Sequence, residues 1–385
     1  VTILEEMEID HPAARLLVDI ARTQEREVGD GTTTVALFAG KLLEHAESLL
    51  DKRIHPTIII RGYRLAAQYA AQKLSTFAFP VTSSALLRSI AMTAMTGKGA
   101  ELVREQLSTL LVRAVEHVAE GSKVNPEDIL FVKVSGESTD QSTLIEGVVL
   151  EATRVHSHMP PLLSDARVLL LDLALEVRAL EREARISISD PDQLERFLAA
   201  EEQSLRSLTD KVIASGATAV FCQRGIDEVA QYHLAQAGIL AVRRVTRAEM
   251  ACLARATSAT IISTLPDITP QALGFAGTVQ EKQHGHETYL YVQGCKNPRA
   301  VTLVLRGGTK HGLDEVERAL KDGLGDVTAV LAHRLVLPGG GAVEIALSRE
   351  LHRFASTVGG KEQHAIIAFA EALESIPITL AENAG

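Results

Sequence analysis

The sequence predicts a multi-domain α+β fold in which helical ends enclose an α/β insert. Three observations predict it. The chain has 385 residues, too many for one ordinary core; at roughly 100–200 residues per domain they divide into two or three. Apolar residues recur with helical spacing near both ends. Between about residues 150 and 305, short strand-like runs alternate with helical runs, the pattern of an α/β module with a parallel sheet. With 46% apolar and 23% charged residues the composition is globular rather than disordered.

The elements follow in order. Asp10 is placed to cap a helix with His11 and Pro12 in its first turn, and Ala14, Leu17, Val18 and Ala21 give its apolar face. After the glycine break at 29–31, Val35, Phe38, Ala39, Leu42, Ala46, Leu49 and Leu50 form the stripe of a second helix. His55-Pro56 interrupts, a third helical run covers about 57–76, and residues 83–120 are helical again. Near 129–150 the pattern becomes β-like. Strand candidates follow at 168–171, 219–222, 239–242 and 260–263, with helical runs at 226–237 and 247–255. The Glu- and Arg-rich stretch 176–212 has helical spacing with little to bury, and is expected to protrude. After Val301–Leu305 the chain is helical at about 312–331, 342–356 and 361–383. The helical ends imply a discontinuous domain: the chain leaves a helical base, builds a distal α/β part and returns. No internal repeat or low-complexity tract is visible.

The formal net charge of −10 argues against non-specific binding to nucleic acid or to an anionic membrane surface. Aromatics are 4% and Trp is absent, leaving little for base stacking. No uninterrupted run of about 18 apolar residues occurs, so no membrane span is expected. Residues 1–6 lack the features of a signal peptide. Cys222, Cys252 and Cys295 are few, odd in number and far apart, without zinc or disulfide spacing, and a reducing, cytoplasmic setting is expected. The start at Val1 and the end just after an amphipathic stretch lead to the expectation of an internal piece of a longer protein.

The strongest local signal is Gly29-Asp30-Gly31-Thr32-Thr33-Thr34 between two helices. Glycines let successive N–H groups converge on an anion, the following helix adds its positive end, and the Thr hydroxyls add donors. A carboxylate in a phosphate cradle makes sense if a divalent cation sits between them. The alternative is a helix–turn–helix linker with Asp30 and the Thr residues as caps. No Walker A ending follows. Gly339-Gly340-Gly341 permits close approach of a nucleotide base or ribose, or acts as a hinge. Asp322 lies off the stripe Leu313, Val316, Leu320, Leu324, Val327, where a carboxylate could orient water for attack on a phosphate; Asp326, one turn on, is an equal candidate by pattern. Lys98 in Thr96-Gly97-Lys98-Gly99 could reach a terminal phosphate or be a solvated loop lysine. His284 and His286 read as a loop between strands.

Together these residues resemble the group II chaperonins, the archaeal thermosome subunits and the eukaryotic cytosolic chaperonin. The matching segments are Met7–Ala14, Val28–Thr34, Ile54–Ile60, Gly225–Ala230, Ala241–Arg244, Ala254–Thr257, Gly339–Glu344 and Val358–Gln363, in the family's order along the chain. The resemblance looks closest to the archaeal type. It implies an ATP-driven folding machine: a helical equatorial ATPase domain, here partial (1–82 and 339–385), an intermediate hinge domain (83–151 and 301–338), and an α/β apical client-binding domain (152–300) whose helical protrusion falls near 176–212. It further implies stacked double rings of identical or related subunits, unfolded or partly folded clients, and ATP with Mg²⁺. By the same resemblance Asp30 would hold Mg²⁺, and Gly29, Gly31, Thr32, Thr33 and Thr34 the phosphates. Asp322 rather than Asp326 would activate water, Gly340 would lie against the nucleotide, and Lys98 would sense the γ-phosphate. Gly323 stands where the family usually has Ala, costing the helix about 1 kcal/mol, and Pro338 is unusual. The family's N-terminal phosphate loop and the C-terminal part of its equatorial domain would lie beyond these residues. Two functions are therefore carried forward: an ATP-hydrolysing chaperonin subunit, and a non-catalytic relative that holds clients or partners.

Overall fold

The computed structural model describes residues 9, 11–81, 83–97, 103–121, 123–136, 138–176 and 191–385, with side chains left out at 13 and 191–198. Within them the chain forms, in order, α1 (Pro12–Val28), α2 (Thr32–Asp51), α3 (Pro56–Phe77), β1 (Phe79–Pro80), α4 (Ser84–Ala94), α5 (Arg104–Val118), β2 (Ile129–Ser135), β3 (Thr143–Ile145), β4 (Gly147–Leu150), β5 (Leu162–Leu171), α6 (Pro191–Ala214), β6 (Ala219–Cys222), α7 (Glu228–Gln236), β7 (Leu240–Val242), α8 (Arg247–Thr257), β8 (Ile261–Ile262), β9 (Gly274–His284), β10 (Glu287–Gln293), β11 (Val301–Gly307), α9 (Lys310–His333), β12 (Leu335–Val336), α10 (Ala342–Ala355) and α11 (Glu362–Ala384). Two compact units result, one from residues 1–90 and 321–385, the other from 91–320.

The first unit is helical and discontinuous. Ala66 and Ala70 of α3 meet Val343, Leu347 and Leu351 of α10 and Ile366, Phe369, Ala370 and Leu373 of α11 in one core. A Cβ on Gly62 would stand 2.5 Å from Ala365 Cβ, so glycine sets the close crossing of α3 on α11. Phe38 of α2 packs edge-on against Phe369 at 5.4 Å. The two chain segments are stitched where β1 pairs antiparallel with β12, Phe79 opposite Val336. By length and composition α11 could cross a membrane, which the search for an uninterrupted apolar run did not anticipate; half of its most apolar window is buried in this unit, the mark of a core helix.

The second unit holds two sheets. The smaller places β11 between β2, parallel, and β3, antiparallel. The larger runs β4-β10-β9-β5-β6-β7, with β8 beside β5. Its strands β5 to β8 are parallel, but β4, β10, β9 and β5 are antiparallel neighbours, so the sheet is mixed rather than parallel. The hairpin β9–β10 supplies the antiparallel half, and its turn carries His284 to His286. Along β5, Val168 and Leu170 enter one core with Met250, Leu253 and Ala256 of α8. Leu169 and Leu171 enter a second with Val212 of α6 and Ala230 and Leu234 of α7. Cover on both faces explains the unbroken apolar runs.

The stretch 176–212 divides. Residues 177–190 lie outside the described residues. The second half of α6 is core helix, with Leu205, Thr209 and Val212 buried, so the expectation that this stretch has little to bury fails there. The dense Glu and Arg residues mask a stripe at 205, 208, 209 and 212, which the sequence reading passed over.

Candidate functional site

The site is built at the ends of helices in the first unit. Helix α1 ends where the Gly29 N–H donates to the Glu25 carbonyl at 2.9 Å. Gly29 and Gly31 then adopt φ of +92° and +81°, a region L side chains avoid. Gly31 is the N-cap of α2 and no side chain caps that helix. Three other helices start under side-chain caps, with His55 accepting from Thr57 N–H, Asp227 from Val229 N–H, and Thr246 in a capping box with Glu249, whereas α5, α10 and α11 do not. The N-cap of α2 is thus a glycine rather than Asp30 or a threonine, and it brings no side chain to the first-turn amides. Asp30 and Thr32 are half-buried; Thr33 and Thr34 are exposed.

Helix α9 brings Asp322 to this turn. Leu313, Val316, Leu320, Leu324 and Val327 are buried as the spacing predicts, while Asp322 is half-buried on the other side. The contact is backbone to backbone. A Cβ on Gly29 would lie 3.2 Å from Gly325 Cα and 4.0 Å from the Asp322 carbonyl oxygen. A Cβ on Gly325 would lie 2.7 Å from the Val28 carbonyl oxygen and 3.1 Å from Gly29 Cα. Two facing glycines therefore let the helix bearing Asp322 touch the loop bearing Asp30. Asp326 is half-buried one turn further along, and position alone does not choose between the two acids.

A second helix start repeats the first. Gly341 is the N-cap of α10, at φ 80° and ψ 3°, again without a side-chain cap. Gly340 has φ +70° and nothing within 4 Å of where its Cβ would be, so its face is open to a ligand. A Cβ on Gly341 would stand 2.4 Å from Pro377 Cβ, which seats the turn on α11. The same helix supports α2 through Phe369, and Ser348 of α10 donates to Glu374 of α11 at 2.5 Å. Tyr63 locks α3 to α2 by donating to the Leu42 carbonyl at 2.8 Å; burial, and to a lesser degree Glu371, push its hydroxyl up to about 12, so it stays a donor.

The structure thus brings the Gly29 to Thr34 loop against the helix of Asp322, while Gly340 precedes a separate helix start seated on Pro377 of α11. Lys98 lies outside the described residues. Sequence reading missed Gly325 and Pro377, whose importance is tertiary, and Gln24, whose side-chain amide reaches the Asp30 carbonyl at 3.0 Å. Among the described residues no cluster of three or more His, Cys, Asp or Glu forms a metal cage.

The model of the TCP-1/cpn60 chaperonin family matches residues 1–385. The chain belongs to that family. This chaperonin is 48% identical over 385 residues to thermosome subunit beta of Methanothermobacter thermautotrophicus, covering all of this chain and 72% of that one. It is 49% identical over 390 residues to the thermosome subunit of Pyrococcus abyssi, covering all of this chain and 71% of the relative. The open-state monomer of a group II chaperonin from Methanococcoides burtonii superposes with a TM-score of 0.68 at 44% identity, over 93% of this chain and 85% of that one. The resemblance to group II chaperonins read from the motifs holds, and with it the multi-domain α+β architecture. The chain is an ATP-hydrolysing chaperonin subunit, and the non-catalytic alternative is not favoured.

Proposed function

We propose that this chaperonin binds ATP with Mg²⁺ at the paired helix starts of its helical unit and hydrolyses it with Asp322 as the water-activating base. The observation that carries the reading is the uncapped, left-handed glycine entry to α2, packed backbone to backbone on the helix of Asp322. The first-turn amides and the positive end of α2 favour an anion. The Gly29 to Thr34 loop grips phosphate oxygens through Gly31, Thr32, Thr33 and Thr34. The Asp30 carboxylate suits Mg²⁺, which in nucleotide sites takes one or two carboxylates together with phosphate oxygens and water; Asp30 would hold it, and it would supply charge neutralisation for the phosphates. Gly340 leaves room for the nucleotide, and by the family resemblance Lys98 is the residue assigned to sensing the γ-phosphate. Asp322 takes a proton from water as the water oxygen attacks the γ-phosphorus and ADP leaves.

The wider reading follows from the family. The helical ends 1–82 and 339–385 form the equatorial domain, 83–151 and 301–338 the intermediate hinge, and 152–300 the apical domain. Related subunits assemble as a double ring in the cytoplasm and enclose unfolded clients, whose exposed apolar surface they bind by area rather than by sequence.

The test is Asp322→Ala in the assembled chaperonin. Turnover should fall by about 10²–10⁴-fold while ATP binding persists, and Asp326→Ala should leave turnover within about twofold. Unchanged turnover in Asp322→Ala refutes the assigned role.

A further inference from the structure

We infer that Gln24 is a positioning residue that sets the direction of the phosphate-loop amides; the inference rests on the ATP-site reading above. Gln24 lies in the last turns of α1, ahead of the loop. Its side-chain amide donates to the main-chain carbonyl of Asp30 at 3.0 Å, six residues on, closing the turn between α1 and α2. The Asp30 carbonyl and the Gly31 N–H belong to one trans peptide unit, so they point in opposite directions. Holding the carbonyl toward Gln24 turns the Gly31 N–H away from α1.

That peptide needs holding. It joins Asp30 to Gly31, which stands at φ +81°. Glycine tolerates either sign of φ, so sterics alone do not stop the Asp30–Gly31 peptide from flipping. No side-chain cap anchors the start of α2 in its place. Gly31 and Gln24 are also fitted to each other: a Cβ on Gly31 would stand 3.2 Å from the Gln24 Nε2 atom. Gln24 thus acts through the loop. It touches no reacting atom, and its effect belongs to the grip on the phosphates rather than to the chemical step.

The test uses the assembled chaperonin and three variants, with ATP affinity measured by equilibrium dialysis, turnover at saturating ATP, and melting without nucleotide. Gln24→Met keeps the length and packing but has no donor. It should raise the ATP dissociation constant about three- to tenfold, the size of one hydrogen bond. Turnover at saturation should stay within about threefold, and nucleotide-free melting within about 2 °C. Gln24→Lys restores an N–H donor and should recover affinity to within about twofold of the parent. Parent-like affinity in Gln24→Met overturns the proposal. So does an equal loss in Gln24→Lys, or a large fall in nucleotide-free melting, because either assigns Gln24 a merely structural role. Asp30→Ala separates the two readings: if it binds Mg-ATP as tightly as the parent, the site reading fails and this proposal with it.

Discussion

Gly325 shows how a single missing methyl group can matter. In the interior of α9 a glycine costs about 1 kcal/mol relative to alanine by propensity, so Gly325→Ala would stabilise an isolated helix. Here the added Cβ meets the Val28 carbonyl at 2.7 Å and Gly29 Cα at 3.1 Å, both backbone atoms that cannot swing aside. Overpacking of this kind costs about 1–3 kcal/mol. Gly325→Ala should therefore lower the melting temperature and reduce kcat by pushing the Asp30 loop off the helix of Asp322; a rise in melting with unchanged kcat would show that the two backbones are not in contact. The Gly29 to Thr34 loop was legible in the sequence because its residue types each supply donors or turns. Gly325, Pro377 and Gln24 were not, because what each touches lies across the fold and carries no local signature. The tie between Asp322 and Asp326 was broken in the reading by family resemblance, not by periodicity.

The helices show where periodicity suffices. Helices α1 to α3 and α9 to α11 fall close to their expected runs because each repeats apolar residues at helical spacing. Helix α6 was misjudged because charge density outweighed the stripe of Leu205, Thr209 and Val212. The mixed sheet was misjudged because a strand buried on both faces reads alike whether its neighbour is parallel or antiparallel. Another contact between elements concerns pH. Asp128, just ahead of β2, is 2% exposed. Its Oδ1 faces Arg255 Nε of α8 at 3.0 Å, while Oδ2 has no hydrogen-bond partner among the described residues. Burial raises its pKa above the usual 3.8, and the attraction of Arg255 only partly opposes this. The folded state therefore holds this proton more tightly than the unfolded chain, so the carboxyl contributes a cost that grows as pH rises above 3.8 and is relieved below it. Asp128→Asn should lessen the decline in stability over that rise. Urea-unfolding midpoints at a series of pH values would check it; parallel curves for parent and variant would contradict it.

At the scale of the molecule, a ligand that binds only the folded state stabilises it, by about 2.7 kcal/mol at a hundred times its dissociation constant. ATP with Mg²⁺ should therefore raise the melting temperature of the helical unit by a few degrees, and chelation of the metal should remove most of that rise. Calorimetry with and without chelator reads this directly, and an identical shift in both would argue against a metal-dependent nucleotide site. The multi-domain order was legible from the sequence because helical runs bracket a strand-rich centre. How far α11 is buried was not, since its composition suits a membrane as well as a core.

The discontinuity of the helical unit also has a consequence in time. A ribosome releases α1 to α3 first, then the roughly 230 residues of the second unit, and only afterwards α10 and α11. At about 5–20 residues per second the interval is roughly 10–50 s. For that long, the faces of Ala66, Ala70 and Phe38 await the core that α10 and α11 bring. The inserted unit, whose strands and covering helices are contiguous, can be complete before the unit that carries it. The helical unit, begun before the inserted one, therefore cannot complete its core until after the inserted unit has been made.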